Sequence, residues 1–496
     1  MEKFVLKENE STIKRIFEQA LDTGLKFKSQ EKVTQKHLTF EAGKKLIEEF
    51  PDTGKDIESL LDEFKEKILP YCINYGSQNF MGFPDAGNSV AALTGAILKE
   101  FLQQDLVNQS FCGPSATFVE IAVIRWLREI IGYPIDVINN VWDLGGIVTS
   151  GGTLSNAIAM LLARENKFPG SMEKGISDID QCWLVVPKGI GHYSIKASMM
   201  WVGCGLKLIE VETDSYRYNL NALEEAIKKH SDNVMAVVAY AGDSRTMTVD
   251  NFDRIHNIVR SYNDKIWLHA DACHGFSLSF SDKLKYKIKG IEKFDSITMD
   301  PHKVMLIPYT LSVLAVKNPE QMKNISIKSN LIISDEFDLG QITPFQGTKQ
   351  WESLKLWFMM KNFGKKGLDE LITKRHELAK YLERKLLQDN DFIVINSVEI
   401  NSVAFLYMGN LDIDDVYNLN AVSKKIYQII LEEGSYHLHQ FPLPDSGKIK
   451  KDEIIYPLRF MCGNPNTSHQ DVDRMIEYIR NVGQKLTLNS DYSQPR

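Results

Sequence analysis

The order of apolar and polar positions gives the chain three textures. To about Tyr75, apolar residues recur at helical spacing between charges over 13–20, 38–50 and 57–69, punctuated by Pro51 and Pro70. From about 86 to 375, short apolar runs alternate with amphipathic segments. Residues 183–186, 206–211, 234–239, 266–269, 296–299 and 311–316 read as buried strands, with 154–164, 192–199, 220–230 and 249–261 as the helices between them. This alternation predicts an α/β domain with a mostly parallel central sheet and helices on both faces, whose ligands sit beyond the carboxyl ends of the strands. From about 376, strands at 392–395, 403–407 and 457–461 mix with helices at 374–387, 422–433 and 470–482, which predicts a smaller α+β domain. The boundaries expected are therefore 1–85, 86–375 and 376–496. Residues 317–346 have weak periodicity, and a connection that long is often a functional or mobile loop. The polar tail 489–496 is expected to fray.

Composition adds limits. The 496 residues, 43% of them apolar and 25% charged, exclude collagen, disorder and a disulfide scaffold, and exceed what one core usually serves. The net charge is −7 and charges of both signs are interspersed, so neither nucleic acid nor an anionic membrane is expected as a partner. The six cysteines (Cys72, Cys112, Cys182, Cys204, Cys273, Cys462) form no CxxC pair, so no metal site is expected and no disulfide framework. Residues 1–10 are charged, without the apolar core of a signal peptide, and no apolar run reaches membrane length. The expectation is a soluble cytoplasmic protein.

Four stretches carry chemistry, and each has a bland alternative. Thr149-Ser150-Gly151-Gly152-Thr153-Leu154-Ser155-Asn156 opens a helical pattern. It is either a plain strand–helix turn or a phosphate cradle of free N–H groups with the Thr153 hydroxyl as an extra donor. His192 in His192-Tyr193-Ser194 is either structural or functional. In Trp267-Leu268-His269-Ala270-Asp271-Ala272-Cys273, Asp271 is either a helix cap or a partner for a ligand nitrogen. Cys273 is either core or a small wall for a flat ring. In Ser296-Ile297-Thr298-Met299-Asp300-Pro301-His302-Lys303, Lys303 is either a surface lysine or a nucleophile. The second reading expects its pKa to be lowered by desolvation and nearby positive charge.

Together, a phosphate cradle, a ring-stacking His, an Asp for a ring nitrogen and a Schiff-base Lys are the parts list for pyridoxal 5'-phosphate. The chain resembles the group II pyridoxal-phosphate amino-acid decarboxylases, the aromatic amino acid and glutamate decarboxylase family, from about residue 79 to 483. Asn79-Phe80-Met81-Gly82-Phe83-Pro84, Gly113-Pro114-Ser115-Ala116-Thr117-Phe118-Val119-Glu120, Trp351-Glu352-Ser353-Leu354-Lys355-Leu356-Trp357, and Leu458-Arg459-Phe460 with Asn464-Pro465 are similar to its other segments.

The resemblance implies a fold-type I, aminotransferase-like enzyme that decarboxylates an L-amino acid to an amine. It implies a homodimer with active sites at the interface, for which 1–85 serves as a dimerisation segment. Lys303 would hold the cofactor, Asp271 would keep the ring nitrogen protonated, and His192 and Cys273 would flank the ring. His192 could also move protons. Gly152, Thr153 and His302 would bind phosphate, and Ser244 occupies the family's Thr position near the ring hydroxyl. The stretch 80–117 would supply substrate-pocket residues, partly from the partner chain. Asp85, Phe111 and Lys349 are the pocket candidates.

The departures are specific. Val304 follows His–Lys where the family usually has Trp, and Lys349 stands where it often has Arg, which is not equivalent at a carboxylate. Asp85 replaces a neutral pocket residue, which suits either a cationic substrate or a capping role. Many members carry a Tyr in a loop after the Schiff-base Lys that protonates the carbon after CO2 loss. Residues 317–346 contain none, only Phe337 and Phe345. Related aldehyde synthases, which use oxygen, lose that Tyr, so the alternatives are such a synthase or a carbon–carbon lyase.

Overall fold

The computed structural model describes residues 4–85, 89–327, 336–342, 344–461 and 463–488. Its centre is a seven-stranded sheet: β1 Gly146–Thr149, β2 Trp183–Pro187, β3 Leu208–Val211, β4 Val234–Tyr240, β5 Trp267–Asp271, β6 Ser296–Met299 and β7 Ser312–Val316. The spatial order is β1-β7-β6-β5-β4-β2-β3. Only β7 runs against its neighbours, pairing antiparallel with β1 and β6. Every residue of β4, β5, β6 and β7 is buried. That follows from their composition: Val234–Tyr240 reads VMAVVAY, with no polar face to give to water. The mostly parallel α/β reading is thus the observed fold; the six expected strands have ends displaced by at most two residues, and β1 is a seventh that the pattern did not give. Because β1, β2, β4, β5 and β6 are mutually parallel, the loops after Thr149, Pro187, Tyr240, Asp271 and Met299 all leave the same edge of the sheet.

Helices cover the sheet. Those used below are α1 Glu10–Lys28, α2 Phe40–Lys44, α3 Ile57–Lys67, α4 Val90–Leu102, α5 Pro114–Ile130, α6 Gly152–Lys167, α7 Tyr193–Trp201 and α8 Ser353–Leu387. α8 is broken at Gly364, whose φ of 61° ends one helical run and starts the next. Its buried residues pack into the large core up to Ile372 and into a second core from Leu378. That second core surrounds a four-stranded antiparallel sheet with β8 Phe392–Val394, β9 Ser402–Tyr407, β10 His439–Gln440 and β11 Leu458–Met461, in the order β8-β9-β11-β10.

The N-terminal part differs from its pattern. Of 38–50 only Phe40–Lys44 is helical; Gly43 weakens the run, and Ile47 and Phe50 beyond it are 83% and 96% exposed, with no packing to hold a longer helix. The N-terminal stretch is pinned to the small domain by backbone bonds, Val33 N–H to Gly434 O (3.0 Å) and Met81 N–H to His437 O (2.8 Å). Part of the 317–346 connection (328–335 and 343) and the tail 489–496 lie outside the described residues. Among the described residues no helix is long and apolar enough to cross a membrane.

Candidate active site

At the carboxyl edge of the sheet the converging loops enclose a cavity of about 310 Å³. Gly152, Thr153, His192, Ser244, Asp271, Cys273, His302 and Lys303, the eight cofactor candidates of the sequence, all line it. So do Asn156, Ser194, Asp300 and Thr310, to which the sequence assigned no role.

α6 begins at the cavity. Its N-cap, Gly151, offers no side-chain cap, so the first N–H groups of the helix remain available to a ligand anion. Gly152 is fixed by space. A Cβ there would lie 2.8 Å from both Asp300 carboxylate oxygens and 2.9 Å from Cys273 Sγ.

Lys303 sits one turn beyond β6 in a short helix started by Pro301. Its Nζ is 2.8 Å from Asp300 Oδ2, and Ser312 Oγ donates to Asp300 Oδ1. The lysine pKa is raised, against the sequence expectation of a lowered one. Burial alone would depress it, but Asp300, with Cys273 and Asp271 behind it, outweighs burial. Asp300 moves the other way. Burial would raise its carboxyl, yet Lys303 and His302 hold it well below the ordinary range. The carboxylate three residues before Lys303, rather than a neighbouring cation, sets the direction of the lysine shift.

Asp271 closes β5 and is buried, receiving hydrogen bonds from Asn156 Nδ2 (3.0 Å) and Cys273 N–H (3.3 Å). Among the described residues no cation pairs with it. A chain of buried groups fixes its geometry. Trp267 Nε1–H donates to Ser296 Oγ (2.8 Å), and Ser296 Oγ meets His269 Nδ1 (2.8 Å). His269 Nε2 meets Asn156 Oδ1 (3.1 Å). One proton arrangement satisfies every member: His269 is neutral with its hydrogen on Nε2, and burial agrees by lowering its pKa to about 4. Asn156 spends its second amide hydrogen on Ser194 Oγ (2.9 Å), which meets His192 Nδ1 at 2.6 Å. The same chain therefore leaves the His192 proton on Nε2. Burial lowers the His192 pKa. His269 and Asn156 were visible in the motifs, but their roles need the register that sets His269 beside Ser296.

The remaining residues each have a place. His302 Nδ1 is 2.6 Å from Leu311 O, which leaves Nε2 as its unengaged nitrogen. Cys273 is buried beside Gly152, and burial pushes its thiol far up, so it presents an uncharged wall. Ser244 lines the cavity, and its carbonyl accepts from Arg459 Nη1. Arg459 is buried, has no carboxylate within ion-pair distance among the described residues, and is pushed down to about 10 by burial. Its Nη1 and Nη2 are spent on the Ser244 and Gly82 carbonyls, so it ties the loop at the cavity to the N-terminal stretch; the sequence used it only as part of a motif.

Of the pocket candidates, Asp85 lies close enough to Lys303 for the ammonium to act on its carboxyl. Phe111 does not line the cavity, being 65% exposed on the surface of the single chain. Lys349 is a correction to the pocket reading. Its Nζ is buried in an ion pair with Glu120, which also accepts from Ser353 Oγ (3.0 Å). A fully buried Glu120 needs a cation, and Lys349 supplies it.

A cavity of this size, with a glycine-started helix, a buried unpaired carboxylate, two histidines and a lysine, fits pyridoxal phosphate. Residues 41–408 match the model of the pyridoxal-dependent decarboxylase conserved domain. The chain is 23% identical over 462 residues to an aromatic-L-amino-acid decarboxylase of Bacillus atrophaeus, covering 90% of this chain and 89% of that one. Its fold is similar to that of Oryza sativa TDC with PLP and tryptamine, at a TM-score of 0.85, 17% identity and coverage of 97% and 99%. It is also similar to that of Rhodiola rosea 4-hydroxyphenylacetaldehyde synthase, at a TM-score of 0.80, 19% identity and coverage of 97% and 99%.

Proposed function

The chain belongs to the pyridoxal-dependent decarboxylase family, and from that premise we propose that it converts an L-amino acid to the corresponding amine and CO2, with Lys303 holding the cofactor covalently. It is a pyridoxal-phosphate-dependent carboxy-lyase; the reading as an amine producer is ours. One observation carries it: residues from five separate loops meet in one cavity with the charge pattern the cofactor needs.

Bound pyridoxal phosphate supplies a sink for the electron pair released when the Cα–carboxylate bond breaks. The chain does the rest. Gly152, Thr153 and His302 would bind its phosphate. Asp271 would hold a proton on its ring nitrogen. His192 and Cys273 would confine the ring, and the neutral His192 could donate from Nε2. The absence of Tyr from 317–346 favours a second reading, an oxygen-using aldehyde synthase.

An amino-acid panel assayed together for CO2, amine, aldehyde and hydrogen peroxide separates the two. We expect one amine per CO2 from at least one L-amino acid, with no oxygen uptake. Aldehyde and peroxide in equal amounts would replace this reading with the synthase.

We also propose that the protein is a homodimer. No residue of α1 or α3 is buried by the chain itself. Phe17, Leu21 and Leu25 on α1, and Ile97, Phe101 and Leu102 on α4, are each 47–57% exposed. So large an apolar surface calls for a cover, and a second copy presents a matching one. Sedimentation equilibrium at micromolar concentration is expected to give twice 56.5 kDa, and Phe101→Asp to shift the mass toward the monomer. A monomeric wild type would overturn the proposal.

A further inference from the structure

The chain lacks the loop tyrosine, yet it places another tyrosine beside Lys303. Tyr309 lies on the segment that leaves the lysine's helix and returns into β7. Lys355, on α8, is fully buried and donates to three consecutive carbonyls of that segment: Pro308 (2.9 Å), Tyr309 (3.4 Å) and Thr310 (3.4 Å). Glu352 pairs with Lys355 and also with Lys99 (2.6 Å), so the clamping ammonium is itself held. A buried cation held by Glu352 and shared among these backbone oxygens fixes a segment more firmly than a solvated loop is fixed.

The clamp sets the Tyr309 ring against His302 (centroids 5.3 Å apart) and edge-on to Tyr75 (6.3 Å). The neighbouring Thr310 lines the cavity. The Asp85 carboxyl and the Lys303 ammonium are close enough to the Tyr309 hydroxyl to act on it. Asp85 Oδ1 is buried without a hydrogen-bond partner among the described residues. The groups that face Asp85 are Lys303, His302, Tyr309, Asp300, Tyr75 and Arg459. Burial outweighs the cations among them and raises its carboxyl to about 6. A phenol and a buried carboxyl therefore stand together beside His302, next to the cavity that Lys303 and Thr310 line.

We propose that Tyr309 is the acid that protonates the carbon from which CO2 has left, and that Asp85 positions its hydroxyl and returns the proton to it. This rests on the decarboxylase reading. The Cα–carboxylate bond breaks and CO2 departs without its electron pair. The C–H bond forms as the Tyr309 O–H bond breaks. The phenolate takes the proton of Asp85, and the Asp85 carboxylate regains one from water. The sum is one proton consumed and one amine formed per CO2.

Tyr309→Phe tests the step, and it should fold, since Tyr309 is 54% exposed and the ring is kept. Covalent cofactor uptake, read as borohydride-trapped mass on Lys303, is expected to equal that of wild type. Amine formation is expected to fall by about 10²-fold or more, the usual worth of a general acid. In the apo-protein, carbon-detected NMR is expected to find Asp85 titrating near 6 and to shift in Tyr309→Phe. Amine formation by wild type should decline above pH 6, where Asp85 loses its proton, and Asp85→Asn should lack that limb while still trapping cofactor. A Tyr309→Phe enzyme with the wild-type amine rate, or an Asp85→Asn enzyme that keeps the limb, overturns the proposal. A wild type that traps cofactor but releases no CO2 from any amino acid overturns the decarboxylase reading instead.

Discussion

Lys303→Ala is expected to give a folded protein that traps no cofactor on borohydride reduction and forms amine at least about 10⁴-fold more slowly, the scale on which removing a catalytic nucleophile acts. The argument starts from the Lys303–Asp300 pair at 2.8 Å. Removing the ammonium leaves Asp300 buried, with Ser312 and His302 as its remaining support. Breaking a buried pair costs about 3–5 kcal/mol when nothing replaces the lost partner. Here the cavity admits water, so at most about 3 kcal/mol is expected, and the protein still folds. The pH dependence has a definite sign. Asp300 is depressed in the folded state, so its contribution is present above the ordinary carboxylate range and is lost as pH falls through its folded value. Lys303 is raised, so its contribution is present below the ordinary lysine range and is lost as pH rises through its folded value. The stability deficit of Lys303→Ala should therefore be flat around neutral pH and shrink in acid. Lys303→Arg separates charge from chemistry: it keeps the cation and recovers stability, yet traps no cofactor, because a guanidinium stays protonated. Turnover in Lys303→Ala at the wild-type rate would sink the assignment, as would cofactor trapped on a different lysine.

What the sequence could reveal follows from how each feature is encoded. Strand ends are local: an apolar run that stops at Asp271 or shortly before Lys303 announces a carboxyl-edge loop, and all eight cofactor candidates of the sequence line one cavity. Pairings across the fold are not local. Lys349 reads as a pocket residue until α5 brings Glu120 to it over 229 positions. Tyr309 is unremarkable until Asp85 and the Lys355 clamp surround it. The His269–Asn156–Asp271 chain needs the register of β5 on β6 as well as the placement of α6. The sign of the Lys303 shift was within reach of the sequence, since Asp300 lies one helical turn away, but its weight depended on both groups being buried. The N-terminal helices were legible as amphipathic, and the single chain leaves their apolar faces uncovered because the period fixes which face is apolar and not what covers it.

The second large effect is expected at Asp271. Asp271→Asn keeps the shape of the side chain and removes its charge, and amine formation should fall on the order of 10²- to 10³-fold, equivalent to losing a buried charge pair worth about 3–4 kcal/mol at 1.4 kcal/mol per tenfold. The carboxylate is suited to hold a proton on the ring nitrogen because it has no other cation among the described residues. Its two hydrogen bonds, from Asn156 and from the Cys273 backbone, orient it without neutralising it. Asparagine in its place turns an N–H toward the ring, and the amide of Asn156 then faces another amide. The fold should persist, since a buried carboxylate unpaired in the apo-protein contributes little to stability and its loss relieves a desolvation cost. Thermal melting of apo Asp271→Asn is therefore expected at or above the wild-type temperature, while kcat collapses at saturating cofactor. The decisive measurement uses Asp271→Ala, which vacates space beside the ring. Loading it with pyridoxal phosphate methylated on the ring nitrogen supplies a fixed positive charge that needs no carboxylate to maintain it. That combination should recover a large part of the lost rate, and the same analogue should not assist Lys303→Ala, whose defect is covalent. If the methylated cofactor leaves Asp271→Ala as slow as the ordinary one does, the carboxylate acts by positioning rather than by holding the proton, and the chain from Trp267 through His269 to Asn156 serves the geometry of the site alone.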